Sequence, residues 1–303
     1  MQLRITPLPF DLASLSGLSE SLLQSHHAHN YGGAVKRLNA IRADLAALPF
    51  ASAPGYTVNG LKREELIATN SVLLHELYFA CLGGPPNAEP PPAMALALAA
   101  SFGSVERWRE EFVAMGRALG GGSGWVLLVF QPHDGTLVNQ WAADHTQAVA
   151  GGVPIAALDM YEHAYHLDFG AAAALYVDAF MAQLNWPAIH RRYQRAVTAA
   201  TGDIGASHPD AQQAAQIIDV RRAGAYATAA QVIPGARWQD PTRIDEWADT
   251  LPADQATVVY CVHGHEVSRA VALRLHASGR PVRFLEGGIE GWAAAGMKLA
   301  PKS

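Results

Sequence analysis

The stretch Ala157-Leu158-Asp159-Met160-Tyr161-Glu162-His163-Ala164-Tyr165 sets a carboxylate and an imidazole four residues apart, directly after an apolar run at 153–158. Residues at that spacing share one face of a helical turn, which predicts that Asp159 and His163 converge on one point. That is half of a metal site. His26 and His75, both in helix-periodic segments, extend the candidate set to three imidazoles and one carboxylate. Such a set suits iron, manganese or zinc and is too rich in nitrogen for calcium or magnesium. Taken alone, an acid and a histidine four apart also describe a surface ion pair.

Working outward, Leu18, Leu22 and Leu23 mark a helix over Ser16–Ser25, and Val35, Leu38, Ile41 and Leu45 mark another over Ala34–Leu48. Gly32-Gly33 is expected to interrupt the two and make a helical hairpin. A third helix over Glu64–Leu82 carries His75 and stops at Gly83-Gly84-Pro85-Pro86. Helices at Met94–Phe102 and Val105–Leu119 precede the glycine-rich Gly120-Gly121-Gly122-Ser123-Gly124. Beyond it, Val126–Gln131 and Thr136–Ala142 read as a strand hairpin and Val153–Leu158 as a third strand, followed by helices at Ala171–Leu184 and Ala188–Ala200. Residues 201–211 are small, polar and without period, and read as a linker. Afterwards short strands (Gln216–Val220, Val258–Cys261, Val282–Phe284) alternate with helices near 243–248, 267–277 and 292–295, the pattern of a small parallel-sheet α/β domain. The expected organisation is an α+β unit of a helical hairpin (1–85) and an α/β part with a three-stranded antiparallel sheet (90–200), then the linker and a small α/β domain at 212–303.

Composition agrees with two domains: 303 residues, half of them apolar, supply ample core. The net charge of -5 is spread over both halves, with no basic stripe for nucleic acid. No apolar run reaches the roughly 18 residues of a membrane span, and the start lacks a signal-peptide core. Two cysteines, Cys81 and Cys261, build no disulfide framework. The expectation is a soluble, cytoplasmic protein without membrane or nucleic-acid partners.

The segment Asp159-Met160-Tyr161-Glu162-His163-Ala164-Tyr165 resembles the signature of the iron/manganese superoxide dismutases, usually Asp-x-Trp-Glu-His-Ala-Tyr. Further blocks agree in order: Leu18-Ser19-Glu20 through His26-His27, Asn70 to His75 with Tyr78-Phe79, Gly122-Ser123-Gly124-Trp125, and Asn185-Trp186 with Arg192-Tyr193. The resemblance spans about residues 1–197 and implies that His26, His75, Asp159 and His163 hold one iron or manganese ion per subunit, with solvent in a fifth position. Superoxide would alternately reduce and oxidise that ion, leaving as dioxygen and then as hydrogen peroxide. It also implies an outer-sphere hydrogen bond to the solvent, here from His145, and a homodimer or tetramer in which Glu162 reaches the partner's ligand histidine.

Five positions depart from the family pattern. The gateway tyrosine, eight residues after the first ligand, is Ala34, and Tyr31 stands nearby out of register as a substitute phenol. Asn30 and His166 replace a histidine and a tyrosine that meet across the dimer interface in the family. Tyr161 and Leu127 replace tryptophans.

Val258-Val259-Tyr260-Cys261-Val262-His263-Gly264-His265-Glu266-Val267-Ser268 reads as a strand, a short loop opening on cysteine, and a helix. Backbone N–H groups and a helix start facing a cysteine lower its pKa. With Ile217-Ile218-Asp219-Val220-Arg221, Val232-Ile233-Pro234-Gly235-Ala236 and Leu285-Glu286-Gly287-Gly288-Ile289-Glu290-Gly291-Trp292, this part resembles the rhodanese-like sulfurtransferases over roughly 212–300. The resemblance implies Cys261 as a carrier of sulfane sulfur from thiosulfate or a persulfide. Glu266 stands where many members have arginine, and an acid there is expected to repel anionic thiosulfate. Two other readings remain: a metal-binding scaffold beside a working sulfurtransferase, and a non-haem iron oxygenase, which a fourth protein ligand disfavours.

Overall fold

The structure is a computed structural model that describes residues 2–302. Ser19 opens the first helix, α1 (Glu20–Ser25), by accepting from the Leu22 N–H at 3.1 Å. The helix then does not break. His26–Tyr31 form one π-helical turn that runs directly into α2 (Gly32–Ala47). The expected interruption at Gly32-Gly33 is therefore absent: Gly32 keeps helical angles of φ -62° and ψ -33°, and the widened turn absorbs the irregularity one step earlier. The next helix, α3 (Gly55–Ala80), begins at Gly55, ahead of the Glu64 start that periodicity suggested, and packs along α2.

Helices α4 (Pro92–Phe102) and α5 (Val105–Ala118) lead to an antiparallel sheet of β1 (Trp125–Phe130), β2 (Leu137–Ala142) and β3 (Val153–Asp159), in the order β2-β1-β3. Every residue of β1 is buried, which explains why the central strand reads as an unbroken apolar run instead of alternating. Asp159 is the last residue of β3, paired opposite Trp125, so the helical turn expected to join it to His163 is replaced by a strand end and a 3-10 turn at Glu162–Ala164. Pairing with β1 satisfies the backbone through Asp159, and the chain can turn only after it. Three helices follow: α6 (His166–Phe169), α7 (Ala173–Ala182) and α8 (Trp186–Ala200).

The C-terminal part holds β4 (Gly205–Ala206), α9 (His208–Gln212), β5 (Gln216–Asp219), α10 (Ala223–Thr228), β6 (Gln231–Val232), β7 (Arg237–Trp238), α11 (Ile244–Trp247), β8 (Thr257–Tyr260), α12 (Glu266–Ala277), β9 (Val282–Leu285), α13 (Gly288–Ala294) and β10 (Ala300–Pro301). Five of these strands form a parallel sheet in the order β4-β9-β8-β5-β7, and β6 pairs with β10. The segment expected as a linker contributes here: β4 pairs with β9, and α9 carries a capping box between Ser207 and Asp210. Two-residue strands of small residues leave no period to read. Within the described residues, no helix is long and apolar enough to cross a membrane.

Apolar packing is continuous across the two parts. Leu273 of α12 joins the N-terminal core, while Ala93 and Leu96 of α4 pack on the C-terminal one. At Gly135 the approach is close enough to require glycine: φ is +74°, and a Cβ would lie 2.9 Å from the Ala270 carbonyl oxygen of α12.

Candidate metal centre and cysteine loop

The four donors singled out in the sequence come together. One ligand atom from each of His26, His75, Asp159 and His163 lies within 4.8 Å of the others. The widened turn carries His26, α3 carries His75, the end of β3 supplies Asp159, and the 3-10 turn supplies His163. Asp159 Oδ2 is the hub, 3.2 Å from His26 Nε2, 3.6 Å from His75 Nε2 and 3.3 Å from His163 Nε2. His26, His75 and Asp159 are buried, and His163 is partly open.

Chemistry of the donor set fits a cation. His75 Nδ1 lies 2.6 Å from the Ser71 carbonyl oxygen, which only a protonated Nδ1 can satisfy, and this leaves the Nε2 lone pair facing the centre. His75 Nε2 and His26 Nε2 are buried without a hydrogen bond, an arrangement that costs free energy unless an electron-pair acceptor sits between them. Burial lowers the His75 pKa to about 3 and also lowers that of His26, so both are in the neutral, ligating form. Burial alone would raise the Asp159 carboxyl, but the imidazoles of His163 and His26 outweigh it and hold it well below the usual range.

The surround orients these groups. Asp159 Oδ1 accepts from the Tyr161 N–H at 2.9 Å, and the Tyr176 hydroxyl donates to the Asp159 carbonyl oxygen at 2.7 Å. His145 stacks on Tyr161 at 5.0 Å, and Tyr161 on His163 at 5.5 Å, so the three rings form a ladder beside the centre. Trp125 Nε1 donates to His145 Nδ1 at 2.9 Å, so the neutral imidazole carries its proton on Nε2. Burial lowers the pKa of His145 and favours that neutral form. The Asn70 amide donates to the His145 carbonyl and ties the loop to α3.

Tyr31 is buried, with its ring 6.5 Å from that of His75. Its hydroxyl accepts from the Thr6 N–H at 2.8 Å and donates to Glu76 at 2.7 Å. It borders a cavity of about 110 Å³ shared with His27 and Phe79. Ala34 is buried in α2 and has no polar side chain to offer. Glu162 and His166 are exposed and Asn30 is partly so. The sequence pattern does not single out Tyr176 or Glu76. A single acid directly after a candidate ligand, in an otherwise apolar stretch of α3, was the available signal for Glu76.

Comparison with known proteins decides the family. An iron superoxide dismutase of Cupriavidus metallidurans is 59% identical over 197 residues, covering 65% of this chain and 99% of that protein. The chain belongs to the iron/manganese superoxide dismutase family. A manganese superoxide dismutase of Halobacterium salinarum is 34% identical over 194 residues, covering 63% of this chain and 95% of the relative. An iron superoxide dismutase of Aquifex aeolicus is 31% identical over 192 residues, covering 61% and 89%. The family model for the C-terminal domain of iron/manganese superoxide dismutases matches residues 90–192, and the model for the rhodanese-like domain matches 206–295. This dismutase family member therefore carries a rhodanese-like domain behind its dismutase part.

In that domain Cys261 follows β8 and is buried, with Sγ 3.2 Å from Ser268 Oγ. The loop is pinned from outside by α13, whose Ile289 and Glu290 N–H groups donate to the carbonyls of Cys261 and Val262 at 3.0 and 3.1 Å. Gly288 makes this possible: its φ is +59°, and a Cβ would lie 2.5 Å from the Cys261 carbonyl oxygen. His263 and His265 are exposed at the mouth, and His263 pairs with Glu290 at 2.9 Å. Glu266 is not where the sequence suggested. It is buried as the first residue of α12 and faces the dismutase part, 3.1 Å from His190 Nε2 and accepting from Gln194 Nε2 at 3.3 Å. Burial alone would raise its carboxyl, but His190 outweighs it and lowers the pKa.

Proposed function

We propose that the N-terminal two-thirds disproportionates superoxide at one iron or manganese ion per subunit, held by His26, His75, Asp159 and His163. The observation that carries this is the convergence of three imidazole nitrogens on one buried carboxylate oxygen within 4.8 Å. Bound iron or manganese supplies a one-electron couple that superoxide both reduces and oxidises. The protein's own groups supply the rest. The Ser71 carbonyl holds the His75 tautomer, the Tyr176 hydroxyl anchors the backbone of Asp159, and the Nε2 proton of His145 is the outer-sphere donor toward solvent in the site. Tyr31, kept protonated as burial raises its pKa, is the phenol we assign to the gateway role, with Glu76 orienting it.

The exposed Glu162, His166 and Leu167, with Asn30, form the face we assign to a homodimer, and the cytoplasm is the proposed compartment. The proposed division is a helical hairpin through residue 85, an α/β part over 90–200, and a rhodanese-like unit whose sheet takes in β4. In that unit we assign Cys261 as the carrier of sulfane sulfur, accepted from thiosulfate or a persulfide. Metal analysis combined with a superoxide assay on the purified intact chain tests the dismutase reading. Stoichiometric iron or manganese together with rapid dismutation is expected, and metal without dismutation would overturn it.

A further inference from the structure

Beside the α4–α12 contacts, a second set of side chains that join the two parts is placed along one face of α8. His190 and Gln194 are four residues apart and Thr201, just beyond the helix end, lies seven further on, which are spacings that share a helix face. His190 and Gln194 take the two carboxylate oxygens of Glu266, at 3.1 and 3.3 Å. Thr201 Oγ1 accepts from Arg269 Nη1 at 2.8 Å, and the Nε of the same guanidinium donates to the Gly264 carbonyl, inside the cysteine loop, at 3.0 Å. Arg269 also lies over the Phe284 ring at 4.2 Å, which limits its movement. The loop that begins at Cys261 is thus held at Glu266 by α8 directly, and at Gly264 by Arg269, which is itself tied to Thr201 at the end of α8.

We infer that α8 is a positioning element for the sulfur-carrying loop: His190 and Gln194 hold the Glu266 carboxylate out of the loop, which is thereby left able to take an anionic sulfane-sulfur donor such as thiosulfate. The charges around Cys261 make the effect of this placement calculable in sign. Arg269 and the exposed His263 and His265 are its basic neighbours; Glu286, Glu290 and Glu266 are the acids. Glu290 is paired with His263, Glu286 and Glu266 both lie near Arg269, and Glu266 is the one of these acids whose carboxylate α8 holds. In the step itself the Cys261 thiolate forms a bond to the outer sulfur of thiosulfate, the S–S bond breaks, and sulfite leaves with the electron pair. Cyanide then removes the outer sulfur of the resulting persulfide as thiocyanate and regenerates the thiolate.

This inference rests on the sulfur-carrier assignment only for its consequence, and the experiment separates the two. In the intact chain, alkylation of Cys261 by iodoacetamide is followed against pH by peptide mass spectrometry, beside thiosulfate-to-cyanide transfer. His190→Ala/Gln194→Ala frees the carboxylate, and is expected to raise the alkylation midpoint by about one pH unit and to slow sulfur transfer about tenfold. Adding Glu266→Gln to that pair should restore both to within about twofold of wild type. Glu266→Gln alone, an isosteric change that keeps the fold testable, should leave both unchanged within the same margin. A pair variant that matches wild type, a triple variant that fails to recover, or a large gain from Glu266→Gln alone would each overturn the inference. Loss of sulfur transfer in every protein, with the alkylation shift intact, would support the clasp and remove the sulfur-carrier assignment.

Discussion

Trp125 Nε1 donates to His145 Nδ1 at 2.9 Å, and this single contact decides which nitrogen of His145 carries the proton facing away from the tryptophan. Removing the indole N–H lets the imidazole reverse its tautomer, and a hydrogen bond to solvent in the site would be lost or inverted. Trp125→Phe is expected to lower dismutation by about 10- to 100-fold while metal content is retained. A variant with full metal and wild-type turnover would show that the tautomer does not matter.

Tyr31 carries a second, separable prediction. Deleting its hydroxyl in Tyr31→Phe removes hydrogen bonds with Thr6 and Glu76. The loss of stability should be about 1 kcal/mol, measured by urea denaturation of the metal-loaded protein. Turnover at high superoxide should fall several-fold, with the metal spectrum little changed. Wild-type kinetics by pulse radiolysis would remove Tyr31 from the gateway role.

The metal-free protein should be sensitive to mild acid. In the fold His75 has its pKa lowered to about 3, against an ordinary value of 6.5, and His26 is lowered as well. Below pH 6.5 the unfolded chain binds protons at these histidines that the folded chain refuses. Stability therefore falls as pH is lowered from 6.5 toward 3 through His75, and His26, whose pKa is also lowered, adds to the loss in the same direction. The urea midpoint of the apo protein should drop measurably between pH 7 and pH 5, and far less when metal occupies the same nitrogens. Equal midpoints at the two pH values would contradict the placement of two neutral imidazoles.

Much of this was legible in the sequence because side-chain chemistry and periodicity carried it. The pairing of Asp159 with His163, the three-stranded sheet and the change to a parallel α/β rhythm follow from residue type and spacing, while the resemblance to the dismutases is what implies His26 and His75 as their partners. What escaped was backbone geometry. Gly32-Gly33 reads as a break, yet a π-helical turn from His26 to Tyr31 keeps the helix going, because hydrogen-bond register leaves no trace in composition. The four-residue spacing of Asp159 and His163 predicts one helical turn, whereas pairing with β1 holds Asp159 in a strand. The sequence reads Glu266 as part of its own loop, since a contact across 76 residues to His190 has no local signature.

For the second site, Cys261→Ser should abolish persulfide formation while leaving superoxide dismutation and metal content unaltered, because the serine hydroxyl cannot act as a thiolate. Mass spectrometry after incubation with thiosulfate reads the added sulfur directly. Added sulfur at undiminished level in the variant would mean that Cys261 is not the carrier.

The central claim is that Asp159 binds the metal that disproportionates superoxide. The most direct measurement is the iron and manganese content of Asp159→Ala beside its rate of superoxide dismutation, each relative to the wild-type chain purified in parallel. Removing the hub carboxylate should reduce bound metal and dismutation together, to the level of metal-stripped protein. Full metal content with undiminished dismutation in Asp159→Ala would contradict the account.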